Sequence, residues 1–230
     1  MPKISIVIPC YEMFGLGSFM LNHSLSILEK QTFNDFEVII SDHSVDDNIL
    51  NLCLNKRQSI DIKYIRNEKN RGSPSANVNN GIINSSGELI KILCQDDYLY
   101  DETSLMETVR NFDYNKKWLV SANWHTKDRL TFSNIHMPRY NKRLYVHNTI
   151  GTHSCLTMIN DKDILFDENL IWFMDCEYFY RLYLKYGLPR ILREPTIIVT
   201  LWEGQVTNTI INEEIVKKER VYLENKYDKK

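Results

Sequence analysis

Four short runs of aliphatic and β-branched residues recur in the first half of the chain, each followed by a stretch of helical character, and this alternation restricts the fold more than any other feature. Lys3–Pro9 (KISIVIP), Phe36–Ser41 (FEVIIS), Asp61–Ile65 and Glu88–Cys94 (ELIKILC) are the candidate strands. Uninterrupted apolar runs of this length suit strands buried on both faces, as parallel sheets require. Between them, Phe19–Gln31 spaces Leu21, Leu25 and Leu28 along one helical face, and Val45–Lys56 predicts a second helix. Ser75–Asn84 predicts a third helix after the turn Arg71-Gly72-Ser73-Pro74, and Thr103–Phe112 a fourth. Strands alternating with helices imply an α/β fold with helices on both faces of a sheet.

The second half is less regular. Trp118–Asn123 and Leu156–Ile159 predict strands, with loops and short strands expected over Lys127–Asn148. A helix is expected over Met174–Tyr186, stopped by Gly187 and Pro189. Ile191–Leu201 predicts a strand broken near Pro195, and the tail from Asn212 a helix of mixed charge. No repeat, low-complexity segment or linker divides the chain, so residues 1–230 are read as one domain.

Charge and cysteine usage exclude several classes. With 28 basic and 30 acidic residues the formal charge is −2, which gives no electrostatic reason to expect a nucleic-acid partner. The five cysteines are widely spaced and form no CxxC pair, which argues against zinc or a disulfide framework and for a reducing compartment. The N-terminus lacks a basic region followed by a long apolar stretch, and no window approaches the ~18 apolar residues of a bilayer span. A soluble, cytoplasmic protein is expected.

Ligands of open α/β sheets bind at the carboxyl ends of the strands. There the sequence places Pro9-Cys10-Tyr11-Glu12 after the first strand, Asp42 after the second and Gln95-Asp96-Asp97 after the fourth. Paired acids behind a buried strand repel each other unless a cation intervenes. Mg2+ or Mn2+ would relieve that repulsion and can share oxygen ligands with substrate phosphates. The plainer alternative is that Asp96 or Asp97 caps the following helix; the company of the other strand-end clusters favours the site.

Taken together, Lys3–Glu12, Glu37–Asp47, Asn70–Gly87 and Leu89–Asp97 resemble the N-terminal half of the family 2 inverting glycosyltransferases. The resemblance implies a GT-A-like, Rossmann-related, mixed and mostly parallel sheet flanked by helices. It implies a nucleotide-sugar-binding half over 1–100, an acceptor and catalytic half over 101–211, and a helical tail over 212–230. It further implies that Asp42 meets the nucleotide base, uracil being typical, while Pro9, Tyr11 and Glu12 border base and ribose. Asp96 matches the last acid of the family's Asp-x-Asp motif, a ligand of ribose or of the metal on the diphosphate, with Asp97 assisting. Arg71 is a candidate phosphate contact, and so is Lys91, for which surface solvation is the preferred role. The motif's first acid is replaced by Cys94, a poor ligand for a hard cation.

An inverting transfer needs one carboxylate to take the acceptor's proton. Met174–Leu182 fits the family's pattern of an acid, an aromatic-rich turn and Arg-Leu, and makes Asp175 the candidate base; simple helix capping is the alternative role. Glu177 is the second candidate, but it stands four residues before Arg181 and is expected to pair with it on the helix surface. His153, Trp172, Phe173, Trp202 and Gln205 are weaker candidates for acceptor, sugar or diphosphate contacts. Gly15-Leu16-Gly17 lacks the third glycine of a dinucleotide fingerprint, and a flexible loop over the donor is expected there.

The expected partners are a nucleotide-sugar donor and a glycan or lipid-linked acceptor, for surface polysaccharide or glycan synthesis. The tail is left with three roles: packing on the domain, forming a dimer, or lying on a membrane that carries the acceptor. A nucleotidyltransferase would carry a glycine-rich basic loop after the first strand, which Pro9–Glu12 is not. A non-catalytic nucleotide-sugar-binding module is the rival that the Cys94 departure leaves standing.

Overall fold

The first strand sets the layering by its own alternation. In β1 (Ile4–Cys10) the side chains of Ile4, Ile6 and Ile8 enter one hydrophobic cluster and Val7 enters the other, as the two-residue period of a strand dictates. A computed structural model describes residues 1–228 of the chain. After β1 come a 3-10 turn at Met13–Gly15, α1 (Gly17–Leu28), β2 (Phe36–Asp42), α2 (Asn48–Lys56), β3 (Ile62–Arg66), α3 (Pro74–Asn84) and β4 (Leu89–Ile92). The chain continues through β5 (Tyr98–Leu99), α4 (Ser104–Arg110), β6 (Trp118–Thr126), β7 (Ser133–His136) and a 3-10 turn at His153–Cys155. It ends with β8 (Leu156–Ile159), α5 (Met174–Tyr186), β9 (Arg190–Thr200), α6 (Val206–Thr209) and α7 (Glu213–Tyr227).

Among these residues one sheet runs in the order β3-β2-β1-β4-β8-β6-β9-β5, with β7 paired to β6. The β3-β2-β1-β4 block is parallel throughout. β8 joins antiparallel to both β4 and β6, so the sheet is mixed where the second half docks. β9 is a single strand rather than one broken at Pro195. Its register on β6 jumps from Ser121–Leu192 to Ala122–Pro195, so Arg193 and Glu194 bulge out and the proline is accommodated without ending the strand.

The helices divide between the faces. Leu21, Leu25 and Leu28 of α1 and Ile49 and Cys53 of α2 pack on the Ile4 side of the sheet. Val78 and Ile82 of α3, with Tyr178, Phe179 and Leu182 of α5, pack on the Val7 side. Gly81 lets α3 approach: a Cβ there would fall 2.3 Å from Val7 Cγ1. Ser73 caps α3 by accepting from the Ala76 N–H at 3.2 Å, with Pro74 in the first turn. α5 ends at Gly187, whose φ of +79° suits glycine.

The tail packs on the domain. Asn212 caps α7 through the Ile215 N–H, and Leu223 is fully buried against the α5 side of the core. Among the described residues no helix is long and apolar enough to cross a membrane. All five cysteines are free.

The Gly15-Leu16-Gly17 segment is a tight 3-10 turn running into α1, not a loose loop. A Cβ on Gly17 would stand 2.3 Å from the Tyr11 carbonyl oxygen, so the segment is pressed onto the end of β1. Lys91 is also placed differently from expectation. It lies on β4, fully buried, with Nζ donating to the Ser154 carbonyl at 3.0 Å, and burial lowers its pKa to about 8. A lysine pointing into the sheet's interior is neither solvated nor a phosphate contact.

Candidate active site

The carboxyl ends of β1, β2 and β4 open onto a cleft of about 890 Å3, closed on its far side by the start of α5 and the segment after β9. The Pro9–Glu12 turn, His43, Arg71, Cys94–Asp97, His153, Trp172, Asp175 and Gln205 reach it.

The turn after β1 is fixed by a residue to which the sequence pattern assigned no role. Gln95 is buried, accepts from the Tyr11 N–H at 2.9 Å, and donates to the carbonyls of Tyr11 at 3.1 Å and Gly17 at 2.8 Å. Glu12 leans the other way and accepts from the Val45 N–H at 2.5 Å, tying the β1 turn to the β2 turn. Tyr11 is thereby presented half-buried on the wall, with Pro9 beneath it.

Asp42 is not on that wall. It is fully buried, its Oδ1 accepting from the Ser44 N–H at 2.8 Å and its Oδ2 from the Tyr64 hydroxyl at 2.7 Å. With both oxygens engaged it shapes the Asp42–Val45 turn, and direct contact with a base is not available to it as placed. The wall position belongs to His43, to which the strand-end pattern assigns no role. Asn67 Nδ2 donates to its Nε2 at 3.0 Å, and burial lowers its pKa, so the ring is neutral at pH 7. Arg71 lies exposed at the cleft edge, with Nη2 3.5 Å from the Ser44 carbonyl.

The two acids after β4 divide their duties. Asp97 turns inward: Ser154 Oγ donates to its Oδ2 at 2.6 Å and the Thr200 N–H to its Oδ1 at 3.1 Å. Burial and the neighbouring Asp96 charge raise its pKa. Asp96 faces the cleft, and Trp202 Nε1 donates to its Oδ2 at 2.8 Å. Its pKa is raised as well, chiefly by burial. Trp202 is thus a hydrogen-bond partner of an acid, and a Cβ on Gly204 would fall 2.1 Å from its ring, so that ring face is covered.

Among the described residues no cluster of three or more metal-ligating side chains exists. A resident zinc ion does not fit that donor set. A hard cation carried in on a diphosphate does, because Mg2+ is usually held by one or two carboxylates plus substrate phosphates.

Across the cleft stands Asp175, in the first turn of α5. It does not cap the helix, because its Oδ1 meets His153 Nδ1 at 2.6 Å. The other ring nitrogen of His153 lies 3.1 Å from Cys94 Sγ. Burial works to lower the His153 pKa, but the Asp175 charge and the contacts with Asp175 and Cys94 outweigh it and hold the pKa well above the ordinary value. Asp175, His153 and Cys94 therefore form one chain across the cleft floor, with Cys94 where the family motif has its first acid.

Glu177 is excluded from the cleft, though not by lying on the surface. It is fully buried and receives Arg181 Nε at 2.8 Å, Lys226 Nζ at 2.9 Å and the Tyr227 hydroxyl at 2.7 Å. Trp172 is 38 % exposed and lines the cleft; Phe173 is buried beside it.

A mixed sheet with this strand order and a strand-end cleft walled by acids defines an α/β protein of GT-A-like fold. The chain belongs to glycosyl transferase family 2, whose model matches residues 5–185. Over 100 residues it is 32% identical to the GalNAc(5)-diNAcBac-PP-undecaprenol beta-1,3-glucosyltransferase of Campylobacter jejuni, covering 43% of this chain and 31% of that protein. It is 30% identical over 105 residues to the poly(ribitol-phosphate) beta-N-acetylglucosaminyltransferase TarS of Staphylococcus aureus, covering 45% of this chain and 18% of the relative. The matched segments thus span under a third of those proteins.

In three dimensions the chain is similar to S. aureus TarS 1-349 in complex with UDP-GlcNAc. The TM-score is 0.74 at 21% identity, over 97% of this chain and 67% of that one. It is also similar to the mannosyltransferase PcManGT of Pyrobaculum calidifontis in complex with GDP-Man and Mn2+, with a TM-score of 0.63 at 11% identity, over 88% of this chain and 58% of that one.

Proposed function

We propose that the protein is an inverting glycosyltransferase that moves a sugar from a nucleoside-diphosphate donor, UDP-linked, to an acceptor hydroxyl. The observation that supports this most directly is the sharing of one cleft by Asp96, Asp175 and the Pro9–Glu12 turn, which come from three distant parts of the chain. In this reading Pro9, Tyr11 and Glu12 flank the nucleoside, joined by His43, while Asp42 acts from behind through the turn it builds. Arg71 at the cleft edge is a cation for the diphosphate.

Asp96 would hold a divalent cation, Mn2+ or Mg2+, together with the donor's phosphates. Bound there, the metal would offset charge developing on the departing diphosphate. Asp97, held inward by Ser154 and the Thr200 N–H, anchors the turn after β4 rather than sharing the ligand set. Asp175 Oδ2, the oxygen not bound to His153, takes the proton from the acceptor hydroxyl. The hydroxyl oxygen forms its bond to the anomeric carbon as the bond to the diphosphate oxygen breaks, and that electron pair leaves with the nucleotide.

The relatives are named for a lipid-linked saccharide and for poly(ribitol-phosphate), which supports a lipid-linked or polymeric acceptor here; work at the inner face of a membrane, in surface glycan synthesis, is part of the same proposal. The experiment is a calorimetric titration with UDP and GDP, with and without Mn2+, followed by product analysis over a panel of UDP-sugars and acceptors. Metal-enhanced UDP binding with transfer is the expected result. Binding without transfer or donor hydrolysis would leave a binding module, and no nucleotide binding would end the reading.

A further inference from the structure

The residue that fixes the start of α5 lies outside the matched family segment. Glu219, on the inner face of α7, is 5 % exposed. Its carboxylate accepts from three successive backbone N–H groups: Ile171 at 2.8 Å, Trp172 at 3.0 Å and Phe173 at 3.0 Å. These residues form the bend that launches α5, ending two positions before Asp175. α5 has Phe173 at its N-cap position and no capping side chain of its own, so the bend depends on an acid supplied from elsewhere in the chain.

The rest of α7 grips the same region. Lys226 reaches Asp167 at 2.8 Å and Glu177 at 2.9 Å, and the Tyr222 hydroxyl donates to Asp167 at 2.7 Å. Those contacts, with buried Leu223, suffice to dock a helix. They do not determine the backbone of residues 171–173. The Glu219 carboxylate does, because three charge-assisted bonds to consecutive amides leave that backbone little freedom.

We propose that Glu219 is a positioning residue for sugar transfer, setting Asp175 and Trp172 against the cleft, and that α7 is thereby part of the active site. The proposal rests on Asp175 being the base. A base displaced by about 1 Å can lose on the order of 100-fold in rate without losing substrate binding. Donor binding, which belongs to the β1, β2 and β4 ends, should be untouched by Glu219.

The test uses the full chain and compares Glu219→Ala, Glu219→Gln and Glu219→Asp with Arg143→Ala. Arg143→Ala removes the guanidinium's contacts with Glu224 of α7 and with Asp228 just beyond it, without touching the bend. Expected for Glu219→Ala is UDP affinity within about 2-fold of wild type and kcat lowered at least about 10-fold, with partial recovery in Glu219→Asp. Arg143→Ala should keep its kcat. A Glu219→Ala kcat within about 2-fold of wild type overturns the proposal, as does an equal kcat loss in Arg143→Ala.

Should Glu219→Ala fail to fold, Glu219→Gln decides. It keeps one accepting oxygen, so an intermediate kcat is expected and wild-type kcat is the overturning result. A crystal structure of whichever variant folds gives an arm independent of turnover. Displacement of Trp172–Asp175 supports the proposal, and an unchanged bend sinks it. Asp175→Asn, run alongside, separates the two failures: full activity there removes the base assignment, while the displacement result still stands or falls alone.

Discussion

His153 Nδ1 lies 2.6 Å from Asp175 Oδ1, and the opposite ring nitrogen faces Cys94 Sγ at 3.1 Å. The contact gives the candidate base one engaged oxygen and one oxygen left for an acceptor. It also locks the ring, since both nitrogens have partners from different elements. Asp175 then needs no reorganisation when it takes a proton, which is what preorganisation at a reacting centre means physically.

Asp175→Asn should leave the fold and UDP binding intact and lower transfer by about 100- to 10,000-fold, the range usual for a general base. Calorimetry for UDP and a product assay for turnover check the two halves separately. Transfer at the wild-type rate would remove Asp175 from the mechanism.

The same variant has a spectroscopic consequence. The His153 pKa sits well above the ordinary value, because Asp175 and Cys94 together overcome the burial that would lower it. A raised histidine pKa stabilises the fold fully below the unfolded value of about 6.5, and that stabilisation is lost as pH rises through the folded value. Without the Asp175 charge the largest influence opposing burial is gone, so in Asp175→Asn the His153 pKa should fall below its wild-type value. Titration of the imidazole resonances by NMR reads this directly; an unchanged midpoint would mean that Asp175 carries no charge next to the ring.

Asp96→Asn should abolish any enhancement of UDP affinity by Mn2+ while leaving metal-free UDP affinity within about 3-fold, since in the proposed arrangement Asp96 is the carboxylate that meets the donor's metal. The measurement is the ratio of UDP affinities with and without Mn2+. A ratio equal to that of wild type would move the metal away from Asp96.

Gly81 supplies a stability prediction independent of function. A methyl group there would meet Val7 Cγ1 at 2.3 Å, so Gly81→Ala should destabilise the fold by about 1–3 kcal/mol through overpacking between α3 and β1. Val7→Ala removes the obstructing methyl groups, so the double variant should be more stable than the sum of the two single losses. Urea denaturation of the four proteins gives the coupling; strict additivity would mean that α3 does not press on Val7.

What the sequence disclosed and what it concealed follow from the range of the interactions. Period and punctuation are local, so Lys3–Pro9, Ser73-Pro74 and Gly187 marked a strand, a helix start and a helix stop close to where they occur. Side-chain direction at a strand end is not local. Asp42 and His43 are adjacent, and only the Tyr64 hydroxyl and the Ser44 amide decide that the acid turns inward while the imidazole takes the wall. Asp96 and Asp97 part for the same reason, through Trp202 on one and Ser154 on the other. Lys91 was legible only as a charge in a strand; its burial depends on the Ser154 carbonyl, far along the chain. Glu219 left no signal beyond an acid in a mixed-charge helix, because its partners are backbone amides that carry no sequence identity.

The attachment of α7 should also depend on pH. Asp167 accepts from Lys226 Nζ at 2.8 Å, the Tyr222 hydroxyl at 2.7 Å, the Asn169 N–H at 3.1 Å and Asn169 Nδ2 at 2.8 Å. Burial alone would raise its pKa, but these partners together hold it well below the ordinary carboxylate value. A depressed pKa stabilises the fold above the unfolded value of about 3.9, and that stabilisation is lost progressively as pH falls toward the folded value. Lys226 stays charged throughout this range and also pairs with Glu177, so acidification weakens the clamp from its carboxylate side. Asp167→Asn removes the titration, and the variant should be less stable than wild type by about 2 kcal/mol at pH 7. The difference should narrow as pH is lowered from about 4 to about 2, because the unfolded wild-type chain takes up a proton at Asp167 there while the folded carboxylate resists protonation. Urea midpoints of both proteins across that range give the answer. A gap that stays constant would show that the Asp167 charge does not hold α7 in place.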